Sequence, residues 1–102
     1  METPEFSGLR VDDAIKSLIP KYLLRREEDL QTLRKALDKA DYSKIEDIAH
    51  RIKGSGASYG FADLSSCAKE LEVAAKARNP SALQELIESY SLLVKKKKQE
   101  VA

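Results

Sequence analysis

Apolar residues recur along most of this chain at the three- and four-residue spacing of a helix, and no segment alternates at the two-residue spacing of a half-buried strand. Ile45, Ile48, Ala49 and Ile52 make one such stripe. Leu64, Cys67, Ala68, Leu71, Ala74 and Ala75 make a second, and Leu83, Leu86, Ile87, Tyr90, Leu93 and Val94 a third. Upstream, Leu23, Leu30, Leu33 and Leu37 lie near one face of a helix expected from Pro20 to about Ala40. A shorter amphipathic piece, Ala14 to Ile19, follows Asp12 and Asp13. Ser43 and Glu46 match a capping box, which predicts a helix from Lys44 to near Tyr59 with Gly60 as the left-handed residue beyond it. Asn79-Pro80 supplies a cap and a first-turn proline for the last helix.

With 102 residues there is room for one domain. The expected fold class is all-α: an antiparallel up-and-down four-helix bundle with an extra short N-terminal helix as a cover. Residues 1–10, with Pro4, Ser7 and Gly8 and no period, read as a flexible leader; residues 11–98 form the domain, and 99–102 a tail.

Composition removes several function classes. Lys and Arg number 18 against 17 Asp and Glu, a net charge of +1, which argues against broad attraction to nucleic acid. The run Lys95–Lys98 reads as a fraying helix end, where cations suit the macrodipole. A single cysteine rules out an intramolecular disulfide framework, and Cys67 lies on an apolar stripe as a core thiol. One histidine and one cysteine are too few for a zinc site of the usual kind. No apolar run approaches the roughly 20 residues that span a bilayer. The opening METPEFSGLR lacks the apolar region of a secretory signal, so the expected location is cytoplasmic. No glycine-rich phosphate loop is present.

The third predicted helix breaks a rule. Gly54 and Gly56 stand inside it, and each costs about 1 kcal/mol relative to alanine. A helix advances about 100° per residue, which places the apolar Ile48, Tyr59, Ile52 and Ile45 at about 160° to about 220° from His50. His50 therefore faces solvent, opposite the apolar stripe. Ala57, Gly54, Glu46 and Lys53 all fall within about 60° of His50 by the same arithmetic. Asp47, at about 60°, and Arg51, at about 100°, flank this face, where they either touch a partner or are simply solvated. Gly56, at about 240°, points to the core edge, where its lack of a side chain allows close helix packing.

An exposed, uncrowded imidazole near pH 7 is a competent nucleophile. Lys53, one turn away, can offset the charge of a phosphoryl group on it. Gly54 and Ala57 leave room for that group and for a partner. The chain offers no base–nucleophile pair and no nucleotide cradle, so a phosphoryl group would have to come from and go to other proteins. An independent enzyme is the least expected reading.

The segment His50-Arg51-Ile52-Lys53-Gly54-Ser55-Gly56-Ala57-Ser58-Tyr59-Gly60 resembles the signature of the histidine phosphotransfer domains, H-x-x-K-G followed by small residues. Leu64 to Glu72 is similar to that family's following helix, and the resemblance runs from about Val11 to Val94. It implies a four-helix bundle with an extra short helix, and a phosphorylated histidine at His50. It matches Lys53 to the lysine near the phosphate and Gly54 to the glycine that clears space. It implies a phosphocarrier without kinase activity, which takes its phosphoryl group from a receiver aspartate or a sensor or hybrid histidine kinase and passes it to another receiver. No cofactor of its own is expected, since Mg²⁺ belongs to the receiver. Nothing requires more than a monomer. A receiver-docking module that transfers no phosphate is the alternative.

Overall fold

A computed structural model describes residues 5–101, with side chains described from Lys16 to Val101. Four helices follow one another: α1 (Glu5–Asp38), α2 (Tyr42–Ser58), α3 (Ala62–Lys76) and α4 (Pro80–Val101). Among the described residues there is no strand. Each connection is three residues, so neighbours in sequence must run antiparallel. α1 packs on α2 and α4, and α3 packs on α2 and α4, while the backbones of the diagonal pairs stay apart. The result is an up-and-down four-helix bundle, closed most intimately between α2 and α3.

The stripes read from the sequence meet in the middle. Leu23, Leu33, Ile45, Ile52, Leu64, Leu71, Leu83, Ile87 and Tyr90 are all essentially inaccessible. Each such aliphatic side chain contributes about 1.5–3 kcal/mol relative to an exposed one. Cys67 belongs to this core; burial pushes its thiol up to about 11, and its Sγ donates to the Leu86 carbonyl at 3.7 Å. That is a structural thiol rather than a reactive one.

All three connections end their helices in the same way. After α2, Phe61 N–H donates to Gly56 O at 2.8 Å and Gly60 N–H to Ala57 O at 3.1 Å, with Gly60 at φ +81°. The paired bonds of this Schellman motif occur again around Ala40 (φ 54°) and Arg78 (φ 53°). Only the α2 end uses the glycine that the left-handed backbone favours.

Three expectations need correction. The short N-terminal helix is not separate: α1 runs unbroken from Glu5 through Pro20 to Asp38. Part of the expected leader, residues 5–10, is therefore helical, and residues 1–4 lie outside the described residues. A proline inside a helix costs about 3 kcal/mol. Here Ile19, Tyr22 and Leu23, on both sides of it, share one core-facing side, and their burial outweighs that cost. The second correction is at α2, which starts at Tyr42 rather than Lys44. Its cap is Asp41, whose carboxylate accepts from Lys44 N–H at 3.2 Å, and not Ser43. The earlier start places Tyr42, one turn before Ile45, against the core. The third concerns the lysine run, which does not fray. α4 continues to Val101, Lys97 pairs with Asp63 at 2.7 Å and lies over the Phe61 ring, and Lys98 pairs with Glu27 at 2.8 Å. The expected tail thus begins inside a helix; residue 102 lies outside the described residues.

Candidate functional site

The apolar stripe of α2 fixes where its histidine points. Ile45, Ile48, Ala49 and Ile52 are buried, so the opposite side of the helix, with His50, is left to solvent. The His50 side chain is 68% exposed. It stands in an open groove of about 560 Å³ lined also by Glu46, Asp47, Arg51 and Glu72. The structure therefore brings Asp47 and Arg51 to the histidine. Gly54 and Ala57 are exposed further along the same helix and do not line this groove. A Cβ built on Gly54 would meet nothing within 4 Å, whereas one on Gly56 would come within 3.1 Å of Ser65 N and 3.4 Å of Phe61 O. Gly56 is thus the place where α3 approaches the backbone of α2. Ser65 ties the same seam by donating its hydroxyl to Lys53 O at 2.7 Å.

The residue that organises the site comes from α3. Glu72 is the one charged residue buried among the described residues, 8% exposed, and it stands at the edge of the groove. Its Oε1 accepts from Lys53 Nζ at 2.8 Å, and its Oε2 accepts from His50 Nδ1 at 3.0 Å. The Lys53 hydrogen bond, with the His50 bond second to it, holds the Glu72 carboxyl below its ordinary range. A carboxylate only accepts, so Nδ1 must carry the proton. In the neutral ring the other nitrogen, Nε2, is then the unprotonated one. Lys53 reaches the site through this carboxylate rather than by hanging in solvent. Its ammonium has three donors, and Glu72 engages one of them.

The sequence reading of the site did not include Glu72. A signal was there: Glu72 falls at the edge of the apolar stripe of α3, about 60° round from Ala75, on the side that borders the groove. Tyr59, expected on the buried side of α2, packs against the core from its edge. It caps α2 partly buried, and its ring stacks on Tyr22 at 4.1 Å between centroids.

Among the described residues no group of three or more His, Cys, Asp or Glu is placed to hold a metal ion, and no helix is long and apolar enough to cross a membrane. Fold and site together define a four-helix bundle that presents one tethered, solvent-facing histidine at mid-helix. The chain belongs to the Hpt domain family, whose model matches residues 18–100. Neither curated proteins nor solved structures gave a match.

Proposed function

We propose that the chain is a phosphorelay intermediate that accepts a phosphoryl group on His50 from a receiver aspartate or a sensor kinase and passes it to another receiver. The observation that carries this is the tether of the His50 ring: Nδ1–H is held by Glu72 while the side chain stays largely exposed, so Nε2 is the nitrogen available to react. The Nε2 lone pair attacks phosphorus in line, the N–P bond forms, and the P–O bond to the aspartate breaks. The aspartate leaves as a carboxylate. The ring keeps its Nδ1 proton and becomes cationic, so no base is needed in the step. Glu72 faces that new positive charge, and Lys53 sits beside the dianionic phosphoryl group. The return step reverses the same bonds. With no glycine-rich phosphate loop in its sequence, the chain acts as a carrier, and Mg²⁺ is held by the receiver. Gly54 and Ala57 provide clearance, and Asp47 and Arg51 are contacts for the partner.

The test is transfer from a phosphorylated receiver, read by intact mass and acid lability. The wild type should gain one phosphoryl group that acid removes. His50→Gln should fold and gain none. Binding of receivers without any mass gain would leave a docking module instead. Lys53→Ala should slow transfer or shorten the life of the phosphoryl form; unchanged rate and lifetime would remove Lys53 from the site.

A further inference from the structure

We infer that Ser65, with Gly56 opposite it, is the positioning residue that keeps Glu72 on the His50 ring and so decides which ring nitrogen carries the proton. The inference rests on the relay reading above, in which Nε2 must be unprotonated to attack, and names what holds it so. α3 grips Lys53 at both ends. The Ser65 hydroxyl donates to the Lys53 carbonyl at 2.7 Å, and Glu72 Oε1, two turns further along α3, accepts from the Lys53 ammonium at 2.8 Å. The backbones meet at the first of these two points, where a Cβ on Gly56 would stand 3.1 Å from Ser65 N.

That contact and the histidine are two ends of one stretch of seam. From Gly56 back to His50 is about 9 Å along α2, and from Ser65 on to Glu72 is about 10.5 Å along α3. The helices run antiparallel, so fixing Ser65 against Gly56 sets Glu72 level with His50. Apolar burial holds α2 and α3 together but is non-directional, so it does not by itself fix their register. A hydrogen bond and a backbone contact do. The tolerance is small: the bond from Nδ1 to Glu72 Oε2 is 3.0 Å, and about half an ångström more removes it. One residue of sliding along a helix is about 1.5 Å.

The grip falls where α2 is least able to hold itself. Gly54 and Gly56 follow His50 within two turns, and each weakens a helix by about 1 kcal/mol. Ser65 adds a bond to that stretch from outside the helix. Once Glu72 and the imidazole part, nothing in the groove keeps the proton on Nδ1. A neutral ring with its proton on Nε2 has no lone pair there and does not attack. Reactivity at Nε2 therefore falls in step with the share of the wrong tautomer.

The experiment compares Ser65→Ala, Gly56→Ala and Ser65→Thr with the wild type in the full chain. Nitrogen NMR shifts of the His50 ring read the tautomer, and labelling by phosphoramidate reads the reactivity of Nε2. Both alanine variants should stay helical and show a mixture of tautomers where the wild type carries its proton on Nδ1. They should label about three- to tenfold more slowly, the range that one hydrogen bond commands. Ser65→Thr, which keeps the hydroxyl, should match the wild type. In a Glu72→Ala background, Ser65→Ala should change neither reading further, because it acts only through that carboxylate. A wild-type tautomer and labelling rate in Ser65→Ala would overturn the inference, and so would a slowing that persists when Glu72 is absent. No receiver enters these measurements, so failure of every receiver to label the wild type would count against the relay reading alone.

Discussion

Gly54 and Gly56 stand two residues apart on α2 and answer to different neighbours. A side chain on Gly56 would run into the backbone of α3, whereas one on Gly54 would meet open space. Gly56 is set by the fold. Gly54 weakens the helix and relieves no contact inside the molecule. What it leaves clear lies outside, on the side where His50 stands. The two faces of one helix thus separate cleanly: one is shaped by packing, and the other, on the relay reading proposed above, by what approaches it.

The largest break in this comparison should come from filling the inner position. Gly56→Leu should destabilise the protein by about 3 kcal/mol, because backbone atoms cannot yield as a flexible side chain would. In thermal unfolding this is a fall in Tm of roughly 12 °C or more for a domain of this size. Next in size is Gly54→Ala, with the opposite sign. It should raise stability by up to ~1 kcal/mol through helix propensity while slowing transfer from a receiver. A variant that is more stable and equally fast would show that Gly54 clears nothing. Ala40→Gly sharpens the point about backbone need. Ala40 holds the left-handed turn that Gly60 holds elsewhere, and its replacement should stabilise by up to about 1 kcal/mol in denaturant titration. No gain there would mean that the turn is unstrained.

The smallest effect concerns pH. The Glu72 carboxyl is held below its ordinary value of 4.5 by Lys53 and His50. A depressed carboxylate stabilises the fold above its unfolded pKa, and that contribution is lost as pH falls through the folded one. Stability of the wild type should therefore drop below about pH 4.5 more steeply than that of Glu72→Gln. Parallel acid limbs in urea titrations of the two proteins would contradict this.

Much of the bundle was legible because its signals are local. Asn79-Pro80 starts α4 and Gly60 ends α2 through chemistry confined to a few residues. The wheel around His50 correctly put Ile45, Ile48 and Ile52 inside and the histidine outside, since that needs only the helical period. The same arithmetic aimed Gly56 at a neighbouring helix. What escaped depended on distant partners or on a balance of energies. Pro20 looks like a helix start until the burial of Ile19, Tyr22 and Leu23 is weighed against its cost. Asp41 and Ser43 are both acceptable caps, and the core position of Tyr42 decides between them. Glu72 meets His50 across 22 residues and Lys53 across 19, and no spacing rule reaches that far. The roles of Lys53, Gly54, Ala57, Asp47 and Arg51 rest on chemistry that the transfer experiments must probe.

The chain has one histidine, set on one open face. A relay built on it has a single berth. Donor and acceptor cannot occupy it together, so flux must run by a ping-pong scheme in which the first partner leaves before the second arrives. Each partner is then a competitive inhibitor of the other, and initial-rate plots at several donor levels should be parallel lines. Throughput would be governed less by the speed of phosphoryl transfer than by how quickly each partner lets go.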